Sequence, residues 1–441
     1  MIFLRYPSCA VQILVEKTKP VKGSNPKMEK PMTVRNSINN HRISRRDFAR
    51  ILSLAGGSIV LLRQSASSSA GTMLQFETQG DSFSRGKQQG QACRDLFFPW
   101  ARKFLPNRYP WMKSHLQDRL EIFTPSWPQQ LRALRQEVEL WQRNMEEVYP
   151  EGFEECRGVA AGLGMDEITH FTVQSYDLIL KPKETEQAAQ AALPRKCTVV
   201  GTRDQQNRPL VGKTDDVSQW ELGMNVLEIT KPDKGYRHAH FHFAGTLWTV
   251  AGMNERGLAM GMNGIPAPRH KTKGISSLDA LHTILPSCAN VDEAIKHIRD
   301  LPLSAGGFSL LLGDANGKLS VVERTPAGMA VLLEKNREGL AHANEIVDLE
   351  LARKNGTAEN PIHVNSRRRY ESALRDLKSG KDLEQILSGR SPQGAICQRG
   401  EDGMHTDFAV IFSPVEKRLK YWLGYTEAVE PKTLNLETIF T

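Results

Sequence analysis

From residue 197 onward, apolar positions come in short runs set apart by turn residues: Cys197–Thr202, Leu210–Lys213, Asn225–Thr230, His238–Ala244, Leu247–Ala251 and Leu258–Met262. Runs of this length, rich in β-branched and aromatic side chains, predict strands joined as hairpins. Ser309–Leu312 and Ser320–Arg324 flank Asn316-Gly317, a dipeptide suited to a tight turn, and Phe408–Phe412 with Lys420–Leu423 predicts a further pair. Helical spacing falls at Ser277–Leu285, Val291–Arg299 and Arg368–Leu377. Ahead of residue 182 the pattern is mostly helical: Ser84–Leu105, Gln129–Tyr149 with Leu131, Leu134, Val138 and Trp141 on one face, Glu154–Leu163 and Asp166–Leu180. Lys181–Lys196 is polar, rich in Ala and Gln and broken by two prolines, which reads as an exposed linker. No repeat of fixed period occurs.

The first 70 residues differ from the rest. Ser44-Arg45-Arg46-Asp47-Phe48 directly precedes an apolar run, Ile51–Leu62, followed by Arg63 and the small-residue stretch Ser65–Ala70. A run of 12 residues carrying Gly56 and Gly57 falls short of the roughly 20 apolar residues that span a bilayer. The arrangement is that of a twin-arginine export signal cleaved near Ala70, a retained short anchor being the alternative. It predicts a periplasmic or extracellular protein that meets the membrane only through this signal. Three segments follow: 1–70, an N-terminal extension with the signal; 71–196, a helical segment with its linker; and 197–441, a β-rich segment.

The charge balance sharpens this division. The chain has 58 Lys and Arg against 50 Asp and Glu, but residues 1–70 alone hold 12 basic and 3 acidic side chains, leaving 46 against 47 beyond them. A body so nearly neutral has no global field for phosphate backbones, so no nucleic-acid partner is expected. Of six cysteines, five lie beyond the leader, with no CxxC pair and no zinc-site or disulfide-scaffold spacing, so at least one thiol stays free or pairs between chains. No phosphate-binding glycine loop of Walker or Rossmann type is present, and no cofactor is expected.

A helical segment, a linker open to cleavage and then a Cys opening a strand suggest that Cys197 becomes a chain terminus. A thiol near its usual pKa of about 8.5 needs a base, and an α-amine of pKa about 7.7–8.0 on the same residue supplies one. Breaking the bond Lys196–Cys197 would create it, through attack of the thiol on the Lys196 carbonyl, an N-to-S shift and hydrolysis of the thioester. Taken alone, a strand-initial Cys also reads as a buried apolar residue.

The surrounding residues resemble a known family, the autoproteolytic acyl-coenzyme A:6-aminopenicillanate acyltransferases of the N-terminal-nucleophile cysteine hydrolases, over roughly 75–435. Gly80, Gly86 and Gly90, and then Gly158-Val159-Ala160-Ala161-Gly162, match its helical segment, and Cys197-Thr198 matches its nucleophile. Its aspartate falls within Gly212-Lys213-Thr214-Asp215-Asp216, on Asp216, with Asp215 the adjacent alternative because the hairpin is one residue longer. Gly252-Met253-Asn254-Glu255-Arg256-Gly257-Leu258 and Met262-Asn263-Gly264 continue the series, and His342-Ala343-Asn344-Glu345 and Ser366-Arg367-Arg368-Arg369 complete it. Two departures stand out: Lys196 replaces a glycine before the nucleophile, and His342-Ala343-Asn344-Glu345 stands where the family has His-Thr-Asn-His.

The resemblance implies an α+β fold, a four-layer αββα sandwich, in which the segment before Cys197 stays bound after cleavage. It also implies a small-molecule substrate with a linear amide bond, N-acyl or dipeptide-like, opened by Cys197 through an acyl thioester. Asn344 would aim at the oxyanion, Asp216 would orient the α-amine or bind a cationic amine, Arg369 would bind a substrate carboxylate or fix Asp216, and Asn263 would line the pocket; each also reads as a structural residue. Hydrolysis is favoured over coenzyme-A-dependent transfer because coenzyme A is scarce outside the cytoplasm. An inactive relative acting as a binding protein and a non-processed cysteine peptidase are the rival readings. His238, His240 and His242 alternate on one strand at a spacing that suits a metal, but no carboxylate or further ligand is apparent nearby; they read as a polar outer face opposite Ala239, Phe241 and Phe243, with no metal assigned. Trp111, Trp127, Trp141 and Trp248 read as core or pocket walls.

Overall fold

A computed structural model describes residues 2–6, 9–13, 73–108, 129–175, 195–265, 267, 272–334, 338–356, 364–426 and 429–440. The twin-arginine signal, the linker up to residue 194, Trp111 and Trp127 lie outside these. Residues Met1–Ser69 are a unit apart, in which β1 (Ile2–Tyr6) and β2 (Cys9–Ile13) pair antiparallel.

The second unit, Ala70–Thr441, begins with β3 (Gln75–Gly80), then α1 (Ser82–Arg108), α2 (Gln129–Val148), α3 (Pro150–Leu163) and α4 (Glu167–Gln174). Cys197 lies in β4 (Arg195–Arg203), followed by β5 (Pro209–Ser218), β6 (Asn225–Pro232), β7 (His238–Phe243), β8 (Thr249–Asn254) and β9 (Ala259–Gly264). A short β10 (Ile275–Ser276) leads into α5 (Ser277–His282), α6 (Ile284–Ser287) and α7 (Val291–Asp300). Next come β11 (Leu303–Ala305), β12 (Phe308–Gly313), β13 (Leu319–Thr325), β14 (Gly328–Leu333) and β15 (Leu340–His342). After α8 (Leu349–Lys354), α9 (Val364–Lys378) and α10 (Leu383–Leu387), the pair β16 (Arg390–Ser391) and β17 (Gly394–Ala395) precedes β18 (Met404–Ser413), β19 (Arg418–Leu423), β20 (Lys432–Asn435) and α11 (Leu436–Phe440).

Two sheets carry the fold, one of eight strands in the order β14-β13-β12-β9-β8-β7-β6-β3 and one of six in the order β15-β4-β5-β18-β19-β20. They pack face to face: Phe241 of the first stacks on Phe408 of the second at 4.6 Å, and a side chain at Gly261 would meet Val199 and Lys213. On the outer face of the eight-stranded sheet lie α1, α3 and α5–α7, where Phe97 closes on Gly245 and Leu285 on Gly252; on the outer face of the six-stranded sheet, Leu383 and Leu387 of α10 close on Gly212. The result is the four-layer αββα sandwich, an α+β fold.

Most predicted elements appear, longer by a few residues. The parallel edge strand β3 was not predicted, because its sequence QFETQG alternates too weakly to signal a buried face. The glycines of the helical segment have a steric cause. A Cβ on Gly86 would sit 2.0 Å from the Glu155 carbonyl oxygen and one on Gly158 2.1 Å from that of Phe83, so α1 and α3 cross backbone to backbone. The histidine face of β7 is not an outer face: all six of its residues are buried, because α1 and α5 cover that side of the sheet, Gln89 reaching His242 and His282 lying 5.6 Å from the His240 ring. Among the described residues no helix is long and apolar enough to cross a membrane. Cys93, Cys156, Cys197, Cys288 and Cys397 are all buried free thiols.

Candidate active site

In the β4–β5 hairpin Cys197 stands opposite Asp215, Val199 opposite Lys213, and Lys196 opposite Asp216. Opposed residues share a face and neighbours alternate, so Cys197, Lys213 and Asp215 point between the two sheets, whereas Thr198 and Asp216 point toward α9. The Cys197 thiol donates to Asp215 Oδ1 at 3.3 Å, and Lys213 Nζ lies 3.1 Å from the same oxygen. Lys213 also donates to the Met262 carbonyl at 2.7 Å, and Asn225 Nδ2 donates to Asp215 Oδ2 at 2.9 Å and to Asp407 Oδ2 at 2.8 Å.

The backbone of Cys197 is held from both sides. Its N–H donates to Asn344 Oδ1 at 3.0 Å, and its carbonyl accepts from Arg369 Nη1. Arg369 is fully buried and further donates to Thr198 Oγ1 at 2.8 Å, Asn344 Oδ1 at 2.7 Å and Asn365 Oδ1 at 2.7 Å. On the same helix Arg367 and Arg368 face solvent. Asn344 Nδ2 donates to the Gly264 carbonyl at 2.9 Å and its backbone N–H to Ser366 Oγ at 2.8 Å. The loop that carries it is anchored at Glu323, whose carboxylate lies 2.6 Å from His342 Nε2 and accepts the backbone N–H groups of Val347 at 2.5 Å and Asp348 at 3.0 Å.

Electrostatics follow from this packing. Burial pushes the Cys197 thiol up to about 12; the Lys213 ammonium works against that rise, and the carboxylates of Asp215 and Asp216 add to it. The thiol of the intact chain is therefore neutral and aimed at an acceptor. Burial works against the Lys213 charge as well, yet Cys197 and Asp215 hold it above the ordinary lysine value. Burial raises Asp216 to about 7 despite the pull of Arg369 and of Thr406, whose hydroxyl donates to Asp216 Oδ1 at 2.6 Å.

Of the residues singled out from sequence, the structure gathers Cys197, Asn344 and Arg369, and of the two aspartates it brings Asp215 to the thiol and turns Asp216 to the opposite face. Arg369 meets the backbone of Cys197 and the side chain of Asn344. Asn263 Nδ2 donates to Ser309 Oγ at 3.1 Å, on the face of β9 that Gly261 turns toward β4 and β5. Lys196, directly before Cys197, is half-buried. Sequence reading missed Lys213, Asn225, Asp407 and Glu323. Lys213 had a readable signal: the turn Asp204–Arg208 is centred on Gln206, and counting outward from it pairs Cys197 with Asp215 and puts Lys213 two residues along the same face.

Residues 203–428 match the model of the family described as acyl-coenzyme A:6-aminopenicillanic acid acyl-transferase. A comparison with curated protein sequences gives no match. Similar solved structures include a mutant conjugated bile acid hydrolase from Clostridium perfringens, 12% identical, with a TM-score of 0.36 over 55% of this chain and 93% of that one. Penicillin V acylase from Agrobacterium tumefaciens is 16% identical, with a TM-score of 0.35 over 54% and 84%. The Caenorhabditis elegans ortholog of N-acylethanolamine-hydrolyzing acid amidase is 13% identical, with a TM-score of 0.36 over 50% and 93%.

Proposed function

This chain belongs to the acyl-coenzyme A:6-aminopenicillanic acid acyl-transferase family, and on that premise we propose that it cuts itself before Cys197 and then opens linear amides with the thiol and α-amine so released. Membership makes it an enzyme of the N-terminal nucleophile type, an amide hydrolase or acyltransferase. The finer reading rests above all on one observation: the Cys197 N–H is held by Asn344 Oδ1 while its thiol proton points at Asp215 Oδ1.

In self-cleavage, Asp215 takes the thiol proton and the sulfur attacks the carbonyl carbon of Lys196. The C–N bond breaks, the proton passes to the departing nitrogen, and a thioester links Lys196 to the Cys197 sulfur. Water then hydrolyses it, leaving a carboxylate on Lys196 and an amine on Cys197. Asn344 Oδ1, which already accepts from that nitrogen, holds the amine afterwards, and the amine replaces Asp215 as the base for the thiol. In turnover the sulfur attacks the substrate amide, the amine leaves with the proton, and the acyl thioester goes to water or to a second amine. The substrate is an N-acyl or dipeptide-like amide of small size, and hydrolysis is the main outcome for an enzyme exported through the Arg45-Arg46 signal. The two pieces stay together because β3 of the first is hydrogen-bonded to β6 of the second.

The test is the intact mass and N-terminal sequence of the purified protein, set beside its activity. The expected larger piece has 245 residues and begins Cys-Thr-Val-Val, and Cys197→Ala stays whole. A fully active enzyme left uncut at Lys196–Cys197 would exclude the terminal amine and favour a non-processed cysteine peptidase. An uncut and inactive chain would favour a binding protein.

A further inference from the structure

The three histidines of β7 play no part in this chemistry, and the sheet supplies the carboxylate that the linear sequence lacks beside them. The β6–β7 register sets Glu228 directly opposite His240, with His242 two residues along on the same face. Glu228 Oε2 lies 2.9 Å from His242 Nε2 and 3.8 Å from His240 Nε2, and the three ligand atoms fall within 4.8 Å of one another. Among the described residues no other group of three His, Cys, Asp or Glu side chains converges in this way. All three are at most 1% exposed, beneath Gln89 of α1 and His282 of α5.

The remaining atoms of each group are already engaged. His242 Nδ1 lies 3.1 Å from the Phe243 carbonyl oxygen and 3.2 Å from Gln89 Nε2, and His240 Nδ1 is 3.0 Å from Thr249 Oγ1. Glu228 Oε1 accepts from Thr78 Oγ1 at 2.5 Å. Nε2 of each ring faces Oε2 of the carboxylate, with each imidazole oriented through its other nitrogen, as metal-bound histidines are; His240 Nε2 also lies 3.3 Å from Thr230 Oγ1, a long contact that an ion would displace. His242 Nε2 is fully buried and has no hydrogen-bond partner although a carboxylate oxygen stands 2.9 Å away. If Nδ1 carries the proton, as its approach to the Phe243 carbonyl allows, Nε2 turns a lone pair on that oxygen. If Nε2 carries it, the N–H misses the oxygen. A cation between them resolves both cases.

Size selects the ion. A tetrahedral ion with bonds of about 2.0–2.1 Å holds its ligand atoms roughly 3.4 Å apart, which lies between the two carboxylate–imidazole separations, 2.9 and 3.8 Å. Two imidazoles and one carboxylate suit zinc better than calcium or magnesium, which prefer all-oxygen sites. We propose that Glu228, His240 and His242 bind one zinc ion. Its duty is structural: the eight-stranded sheet lies between it and Cys197, and the groups that orient its ligands, Thr78 of β3 and Gln89 of α1, come from the part of the chain ahead of Cys197. The ion thus fastens β3 and α1 to the sheet.

The full chain, purified without chelator from zinc-supplemented cells, is expected to hold about one zinc per chain, with at least a tenfold loss in His242→Gln and in Glu228→Gln. Because either variant could fail to fold, the unaltered protein is also stripped with chelator and titrated with Zn2+ and, separately, with Co2+. Binding should raise the melting temperature, and cobalt should give visible ligand-field bands without the near-ultraviolet band of a thiolate ligand, in Cys197→Ala as in the unaltered chain. Less than about a tenth of an equivalent of zinc in both the purified and the titrated protein overturns the proposal. So does a thiolate band, or zinc retained by folded His242→Gln, since either places the ion elsewhere.

Discussion

Asn344 presents its oxygen, and not its nitrogen, to Cys197: Oδ1 accepts the Cys197 N–H at 3.0 Å while Nδ2 is spent on the Gly264 carbonyl at 2.9 Å. The oxygen also receives Arg369 Nη2 at 2.7 Å, so the side chain is fixed at both ends. It thereby fixes the backbone nitrogen of Cys197, and because an amide nitrogen carries two hydrogens, the second N–H of Nδ2 is the one left for an oxyanion role.

Two substitutions separate these duties. Asn344→Ala removes both and should lower kcat by about 10²–10³ with KM within a fewfold. Asn344→Asp keeps the acceptor but sets a negative charge beside the amine, which favours its protonated form. The acid limb of the kcat/KM profile should then move up by about one pH unit from an amine pKa near 8. The measurement is the pH profile of both variants after confirming the new N-terminus, and an unmoved acid limb in Asn344→Asp would remove the side chain from contact with the amine.

The crossing of α1 and α3 gives a prediction in which two effects oppose. Alanine is a better helix former than glycine by about 1 kcal/mol, so Gly158→Ala gains from propensity. Its methyl, however, would lie 2.1 Å from the Phe83 carbonyl oxygen and 2.8 Å from the Lys87 nitrogen, both backbone atoms that move only if a helix moves. Overpacking of this kind costs about 1–3 kcal/mol and more where backbone must shift, so the steric term wins. Thermal unfolding should show a net loss of about 1–2 kcal/mol, the upper part of that cost less the gain in propensity, and a melting temperature at or above that of the parent would mean that the helices are not held at this distance.

Much of this architecture was readable along the chain, because hairpins advertise themselves by alternation and turn residues, and helices by their period. The strand that carries Cys197 was readable as well. What local patterns do not carry is the pairing of strands, and there the reading stopped short. Asp215 and Asp216 are equivalent as neighbours in sequence and opposite as neighbours in a strand, and only the register with Cys197 distinguishes them. Glu228 was likewise hidden from His240 by the intervening turn, although counting outward from Lys234 pairs the two. The burial of the histidine face could not be seen from β7, because it depends on α1 and α5, which are remote in sequence, with Gln89 153 residues from its contact at His242.

The two aspartates should respond differently to neutralisation. Asp215 accepts the thiol proton and pairs with Lys213, so Asp215→Asn should stop self-cleavage and strand a buried ammonium. Asp216 acts on stability, and the sign follows from its raised value of about 7. Unfolded, an aspartate gives up its proton near pH 3.9; folded, Asp216 keeps it until about pH 7. Across that window the native state binds the extra proton, so wild-type stability is highest at the acid end, falls as pH rises from about 4 to 7, and levels off above. In Asp216→Asn nothing titrates at this position, and the amide oxygen can still accept from Thr406. The variant should therefore lose this part of the slope and gain relative to wild type as pH increases, by an amount on the order of 3–4 kcal/mol between about pH 4 and pH 8. Chemical denaturation of both proteins at several pH values in the Cys197→Ala background, where cleavage cannot intervene, gives the difference directly. A wild-type-minus-variant difference that stays constant over that window would show that Asp216 is already ionised at low pH, held there by Arg369 against the effect of its burial.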